Sequence, residues 1–349
     1  MKRPLKNRRF LGRLRSWPIL VVVGLLIVVG VVWGLRIIYN HDLGPVDPSS
    51  TKTVYFTVVS GSTVHQIGDD LKQSNLIRSE KTFETYVRSR GLFESLQYGT
   101  YALSQSMSTQ QIVQKLVNGD VAKNLLTILP GKTINDIKDT FKKAGYSSSE
   151  IAAAFDPSNY SDIPFMANLP AGASLEGLLY PDSWQQESNT PAQTIIRESL
   201  DEMQDHLTSD IVTGFKASGL NVYQGLTLAS IVYQESGDPS TEPTIAQVFL
   251  SRIKQGMPLQ SNVTADYASD LAGVPRSVDI DSPYNTYLHK GLPPGPISNM
   301  MDSALKAVAH PSDTDYLYFI AGDDGTIHFS HNEVEHEQAI QKYCKVKCS

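Results

Sequence analysis

The chain has 349 residues, of which 41% are hydrophobic and 19% charged, enough apolar surface for a sizeable core in two or three domains and too much for a disordered protein. Eight of the 30 Lys and Arg precede the first acidic residue, Asp42, so the remaining 22 face 36 Asp and Glu. Beyond its start the chain therefore carries about −14 charges, which argues against a nucleic-acid partner.

The N-terminus is crowded with Lys2, Arg3, Lys6, Arg8, Arg9, Arg13 and Arg15, and twenty uncharged residues, Ser16 to Leu35, follow. As a helix at ~1.5 Å per residue they span roughly 30 Å, one crossing of a bilayer's hydrocarbon. A cleavable signal peptide is the rival, but the run is long and no small-residue cleavage site follows it at Tyr39 to Asp42. Basic flanks stay on the cytoplasmic side, so residues from about 40 onward are expected outside the cell. Residues 42–50, rich in Gly, Pro, Asp and Ser, read as a linker to a folded part that starts near Thr53.

Residues 56–67 and 126–137 align without a gap at an offset of 70. In each, a β-branched run stops at Gly61 or Gly131, Thr63 or Thr133 is placed to cap, and an apolar helical pattern follows: Val64, Ile67, Leu71 and Ile134, Ile137, Phe141. Strand, turn, helix is the expected order, and the pattern resembles the LysM glycan-binding module. A scaffold or spacer is the alternative, since nothing aromatic or polar here singles out a sugar site. Gly131-Lys132-Thr133 is not a phosphate loop, because the required earlier glycine is replaced by Leu126. Near residue 150 the chain turns rich in Ser, Pro and Asn, and a domain boundary is expected there.

Farther on, Leu228, Ile231, Val232 and Glu235 stand at i, i+3, i+4 and i+7, which sets a carboxylate on the apolar stripe of a helix. Gly237 and Pro239 end that helix, leaving Glu235 in its last turn, where the negative end of the helix dipole and burial both raise its pKa. A carboxyl that stays protonated near neutrality suits the general acid of glycosidic cleavage; a structural Glu paired to an Arg is the other reading of the same spacing. A second helix is expected from about Pro243 to a stop at Gly256. Irregular segments at 259–264, 282–287 and 291–296 supply amides, hydroxyls and rings fit for the walls of a sugar groove, or ordinary loops.

Two other chemistries fall away. Ser303-Ala-Leu-Lys306 matches the S-x-x-K of penicillin-binding proteins, but no K-T-G accompanies it, and the eight His include no H-E-x-x-H. No metal or cofactor is expected. Cys344 and Cys348, at the extreme C-terminus, are placed either to pair or to lie free.

Leu228-Ala-Ser-Ile-Val-Tyr-Gln-Glu235, Leu259-Gln-Ser261, Tyr284-Asn-Thr-Tyr287, Gly291-Leu-Pro-Pro-Gly-Pro-Ile297, Ala309-His-Pro311 and Tyr316-Leu-Tyr-Phe319 together resemble the YceG-like endolytic murein transglycosylases, over roughly residues 53 to 343. That resemblance implies an α+β fold with these parts: a basic cytoplasmic tail (1–15), a transmembrane helix (16–38), a linker (39–52), a LysM-like subdomain (53–149), a catalytic domain (150–343) and a C-terminal tail (344–349). It places the family's essential Glu at Glu235 and implies cleavage between N-acetylmuramic acid and N-acetylglucosamine within a strand, leaving 1,6-anhydro-muramic ends. Gln260, Ser261, Asn285 and Tyr287, with Glu176, are the candidate substrate contacts, and Asp238, Glu242 and Asp266 the nearest candidates for a second carboxylate. Peptidoglycan strands and the membrane are the implied partners, together with penicillin-binding proteins and elongation or division machinery. A non-catalytic scaffold that binds glycan and recruits synthases is the competing function. The chain departs from the family where Tyr233 replaces a second acid and Asn262-Val263-Thr264 replaces Asp-Pro-Thr.

Overall fold

The computed structural model describes residues 17–186 and 189–346, so the basic tail and Cys348 lie outside the described residues. The chain divides into two compact units between Lys123 and Asn124.

In the first unit, helix α1 (Trp17–Asp42) is a single apolar helix long enough to cross a membrane, and Val21–Asp42 is not covered by protein. It continues four residues past the expected end at 38. The linker is correspondingly shorter and partly tied down: Arg78 donates to the carbonyls of Pro45 and Val46, and Thr109 N–H to that of Leu43. Strands β1 (Val54–Val58) and β2 (Gly99–Leu103) pair antiparallel from Val54 opposite Leu103 to Val58 opposite Gly99. Between them run α2 (Val64–Gln73) and α3 (Glu80–Ser89), and α4 (Thr109–Asn118) follows. Phe56, Leu71, Phe83, Tyr101, Ile112 and Leu116 are among the residues that form this unit's own core.

The second unit begins well before the expected boundary near 150. Strand β3 (Leu125–Thr127) pairs antiparallel with the distant β4 (Ser183–Gln185), and α5 (Ile134–Lys143) buries Ile134, Ile137 and Phe141 in the second core. The Ser-rich stretch that marked the boundary is instead the capped start of α6 (Ser148–Ala154), with Ser147 and Glu150 forming a capping box. Helices α7 (Ala192–His206) and α8 (Ser209–Ala217) lead to α9 (Val222–Glu235), which packs against α8, α10 (Glu242–Gln255), α11 (Asn262–Ala272) and α12 (Asp302–Ala309). The hairpin β5 (Tyr318–Ala321) with β6 (Ile327–Ser330) and helix α13 (Glu333–Tyr343) complete the unit. The mixed α+β expectation holds.

Helix α9 is more central than an amphipathic stripe implies, because every residue from Gly225 to Val232 is buried. Small residues allow this: a Cβ at Gly225 would strike the ring of Phe215. A helix buried all round is fixed in position by its neighbours, each large side chain there contributing about 1.5–3 kcal/mol. Glu235 is where the buried run gives way to solvent. Helix α10 ends at Gly256 in the left-handed conformation (φ 65°), as its sequence predicts.

Candidate active site

Glu235 is the last residue of α9, and its successor Ser236 is already extended. Its Oε1 accepts a 2.5 Å hydrogen bond from the hydroxyl of Ser261, which is buried. Ser261 stands at the N-cap of α11 yet makes no side-chain cap, because its hydroxyl is committed to Glu235. Burial raises the Glu235 pKa most; the Ser261 bond pulls it down and the negative charge of Asp266 pushes it up, and the balance is a carboxyl shifted upward. Glu235 thus lies in the last turn of its helix with its pKa raised chiefly by burial, and no Arg pairs with it among the described residues.

Ser261 is held by a small hydroxyl network. Its N–H donates to Thr286 Oγ1 (3.1 Å), its carbonyl accepts from Thr264 Oγ1 (2.7 Å), and the two threonine hydroxyls lie 2.8 Å apart. The preceding Gln260 has φ of 53°, a left-handed backbone that costs a non-glycine residue on the order of 1 kcal/mol. Two contacts hold it there: Gln260 N–H donates to the Thr286 carbonyl, and Arg252 donates to Gln260 Oε1. Buried Arg252 also donates to the carbonyls of Leu317, Pro258 and Leu259 and lies over the Tyr318 ring, so its charge serves to fold this corner.

The candidate substrate contacts separate on these facts. Gln260 is exposed beside Ser261. Tyr287 is half-buried and donates to Asn262 Oδ1 (2.5 Å); burial raises its pKa, as does the nearby Glu235. Asn285 is fully buried, and its amide donates to the carbonyls of Val278 and Ile280 while accepting from Tyr287 N–H. Glu176 is also buried: it accepts from Ile134 N–H at the start of α5 and from the Tyr267 hydroxyl (3.0 Å), and burial pushes its pKa up to about 7.

Among the candidate second carboxylates, Asp238 caps its own loop through Ser240, and Glu242 is buried with Oε2 unpartnered among the described residues. Only Asp266 acts on Glu235. Three residues that spacing did not single out complete the site. Gln234 donates to the Gly131 carbonyl (2.9 Å), while buried Asn299 accepts from Lys132 N–H (2.7 Å) and donates to the Leu129 carbonyl (3.0 Å). Arg276 spans Asp266 (3.0 Å) and Asp270 (2.9 Å). Nothing in the local spacing of Gln234 and Asn299 announces such long-range partners. The glycine-lysine-threonine turn is thus anchored to the end of α9 and is not an open cradle.

A cavity of about 180 Å³ lies at this end of α9, lined by Gly131, Gln234, Asp266, Tyr267, Arg276 and Ile297. A larger, more apolar one of about 850 Å³, against Phe165, Leu207, Val212 and Tyr223, flanks the opposite end of the helix and lacks a titrating acid. Volume alone does not mark the site. Ser303 bonds Glu242, and Lys306 is paired to Asp302 (2.5 Å), so the S-x-x-K residues do not form a nucleophile-base pair. In the first unit, His65 Nδ1 lies 2.7 Å from both Glu80 and Glu84, the group of metal-ligand spacing found among the described residues.

The sequence profile of the YceG-like family matches residues 56–342, most of the chain. The chain belongs to the YceG-like family. Like this YceG-like chain, an endolytic murein transglycosylase of Bacillus subtilis spans the match nearly end to end: 32% identity over 323 residues, 87% of this chain and 89% of that one. One from Streptococcus pneumoniae is 29% identical across 88% of this chain, which spans 61% of that longer protein. The crystal structure of a YceG-like protein from Listeria monocytogenes superposes with a TM-score of 0.55 at 29% identity, covering 83% of this chain and 99% of that one. In this chain Asn262, at the start of α11, serves as hydrogen-bond acceptor for Tyr287.

Proposed function

We propose that this YceG-like chain is an endolytic murein transglycosylase that cuts the bond between N-acetylmuramic acid and N-acetylglucosamine inside a peptidoglycan strand. The observation that carries the reading is the Glu235 carboxyl, half-buried at a helix end, braced by Ser261 and shifted upward in pKa. Protonated Glu235 gives its hydrogen to the bridging oxygen as the C1–O bond breaks. The resulting carboxylate takes the proton of the muramoyl 6-hydroxyl as O6 closes on C1. One bond breaks, one forms, and no water is consumed, so a single carboxylate serves both steps. The substrate's N-acetyl carbonyl can shield the cationic C1, which removes the need for a paired nucleophilic carboxylate. Gln260 and Tyr287 border Ser261 and Asn262 and are the contacts best exposed to a strand; Ser261 orients the acid, while Asn285 and Glu176 act from behind by holding loops and α5.

The antiparallel β1 and β2 with two intervening helices support a LysM-like reading of the first unit, hence a glycan-holding role. Helix α1 would anchor the chain with its basic tail in the cytoplasm and both units outside, near strands made by cell-wall synthases.

Full-length protein in detergent, incubated with uncrosslinked glycan strands and read by mass spectrometry, tests the activity. Wild type should yield anhydro ends, and Glu235→Gln should lose at least a thousandfold in rate. Reducing ends would make it a hydrolase, and intact strands a scaffold. Because the acid must start protonated and its pKa is raised, kcat/KM should fall as pH rises through that raised value.

A further inference from the structure

We infer that Glu176 is a positioning residue for the Glu235 carboxyl, a single buried side chain that clamps both pieces of chain holding the end of α9. The inference rests on reading Glu235 as the general acid. Glu176 is 4% exposed, too enclosed to touch a strand, and the proposed mechanism gives its carboxyl no chemical task. Both of its oxygens accept from Ile134 N–H (3.0 and 3.1 Å), and Oε2 also accepts from the Tyr267 hydroxyl (3.0 Å). An acceptor shared by two buried donors is costly to remove, because both are then left without a partner.

Those two donors belong to the two supports of the acid. Ile134 opens α5 directly after the 131–133 turn, and the Gly131 carbonyl of that turn receives Gln234, the neighbour of Glu235 on α9. Tyr267 lies on α11, whose N-cap residue Ser261 donates to Glu235 itself. The turn and α11 thus meet on one carboxyl group.

The next residue adds a third route to the same helix. Gly177 has φ of 71°, and a Cβ there would strike Pro296 and the Ser298 carbonyl. Between those two, Ile297 N–H donates to Ser230 Oγ on α9 (3.0 Å). The 176–177 pair is therefore pressed against every one of these braces, and loosening it frees Glu235 to drift. A drift of ~1 Å at a reacting group costs up to about 100-fold in rate.

Hydrogen bonds make this clamp, not bulk, and steady-state cleavage of uncrosslinked glycan strands by full-length protein in detergent tests it. Glu176→Met keeps the volume and removes the acceptor; kcat should fall roughly 10–100-fold with KM within about twofold of wild type. Gln260, the exposed contact, is held by Thr286 and Arg252 instead, so binding survives. Glu176→Gln should recover most of the lost kcat, since its carbonyl can accept from Ile134 N–H while its amide faces the Tyr267 oxygen. Tyr267→Phe cuts one arm and should lower kcat about tenfold. A Glu176→Met enzyme with wild-type kcat and a lower melting temperature would make the residue merely structural and overturn the inference. A raised KM at unchanged kcat would do the same, because Glu176 would then contact substrate, and so would a Gln variant as slow as the Met one. If Glu176→Met does not fold, Tyr267→Phe decides: kcat lost at constant KM supports the clamp, and kcat retained overturns it. Glu235→Gln run alongside separates the two readings, since undiminished cleavage by that variant would sink the general acid whatever Glu176 does.

Discussion

Residues 56–67 and 126–137 carry one local pattern and put it to two uses. Both fold as strand, glycine turn and capped helix, with Gly61 at φ 87° and Gly131 at φ 70°, and with Thr63 and Thr133 each forming a capping box. A Cβ on Gly61 would meet nothing within 4 Å, whereas one on Gly131 would press on Tyr233 and Gln234. The second turn is also bonded by Gln234 and by Asn299 through Lys132. Local chemistry therefore builds the element, and long-range partners decide whether it is an independent turn or a brace for the end of α9. Any function peculiar to the second copy must reside in those partners.

The sharpest way to break the contrast is to remove the partner and leave the turn. Asn299→Ala removes two part-buried hydrogen bonds, to Lys132 N–H and to the Leu129 carbonyl, a loss of about 1–3 kcal/mol. Urea unfolding should show the second unit's transition at lower concentration with the first unit's unchanged. Activity should fall as well, because the turn that steadies Gln234 loosens. A stability change under 0.5 kcal/mol would mean the brace is ornamental.

What could be read in advance follows the same division. Elements whose determinants are local were legible: the apolar α1, both capped turns, α9 ending at Glu235, and α10 ending at Gly256. Helix α11 was not, because its buried positions are Thr264, Ala265, Tyr267, Ala268 and Ser269, small or polar residues that leave no apolar stripe. The boundary near 150 was misplaced for a related reason. Serines that resemble linker composition are capping residues of α6, and the pairing of Leu126 with Trp184 that binds β3 into the second unit spans a distance no local window covers. At the site, Glu235 stood out through periodicity, while Asp266 and Arg276 come together only through the turn after α11.

A smaller effect separates the two glycines. Alanine at either position must adopt a left-handed backbone, costing about 1 kcal/mol. Gly61→Ala should show that cost alone. Gly131→Ala adds a methyl 3.3 Å from the Tyr233 ring and 3.4 Å from Gln234 Nε2, contacts tighter than comfortable packing allows. Gly131→Ala should therefore cost about 1 kcal/mol more than Gly61→Ala and reduce strand cleavage, which Gly61→Ala leaves intact. Equal losses at the two sites would show that Tyr233 and Gln234 yield freely and that the turn's contact with α9 carries no strain.

The smallest effect concerns what the two copies share. Thr63 Oγ1 accepts from Gln66 N–H at 3.2 Å and Thr133 Oγ1 from Asp136 N–H at 3.3 Å, with the third helical residue reaching back in each case. Thr63→Ala and Thr133→Ala should each cost about 1 kcal/mol, equal within a few tenths, since each removes one cap from one exposed helix start. Asp136 carries a full charge where Gln66 has none, so any excess should appear at Thr133 and shrink as salt is raised from low ionic strength. A loss at Thr133 more than twice that at Thr63, insensitive to salt, would mean that the cap also holds Ile134 against Glu176, and that the second helix start is part of the site's scaffold and not merely a copy of the first.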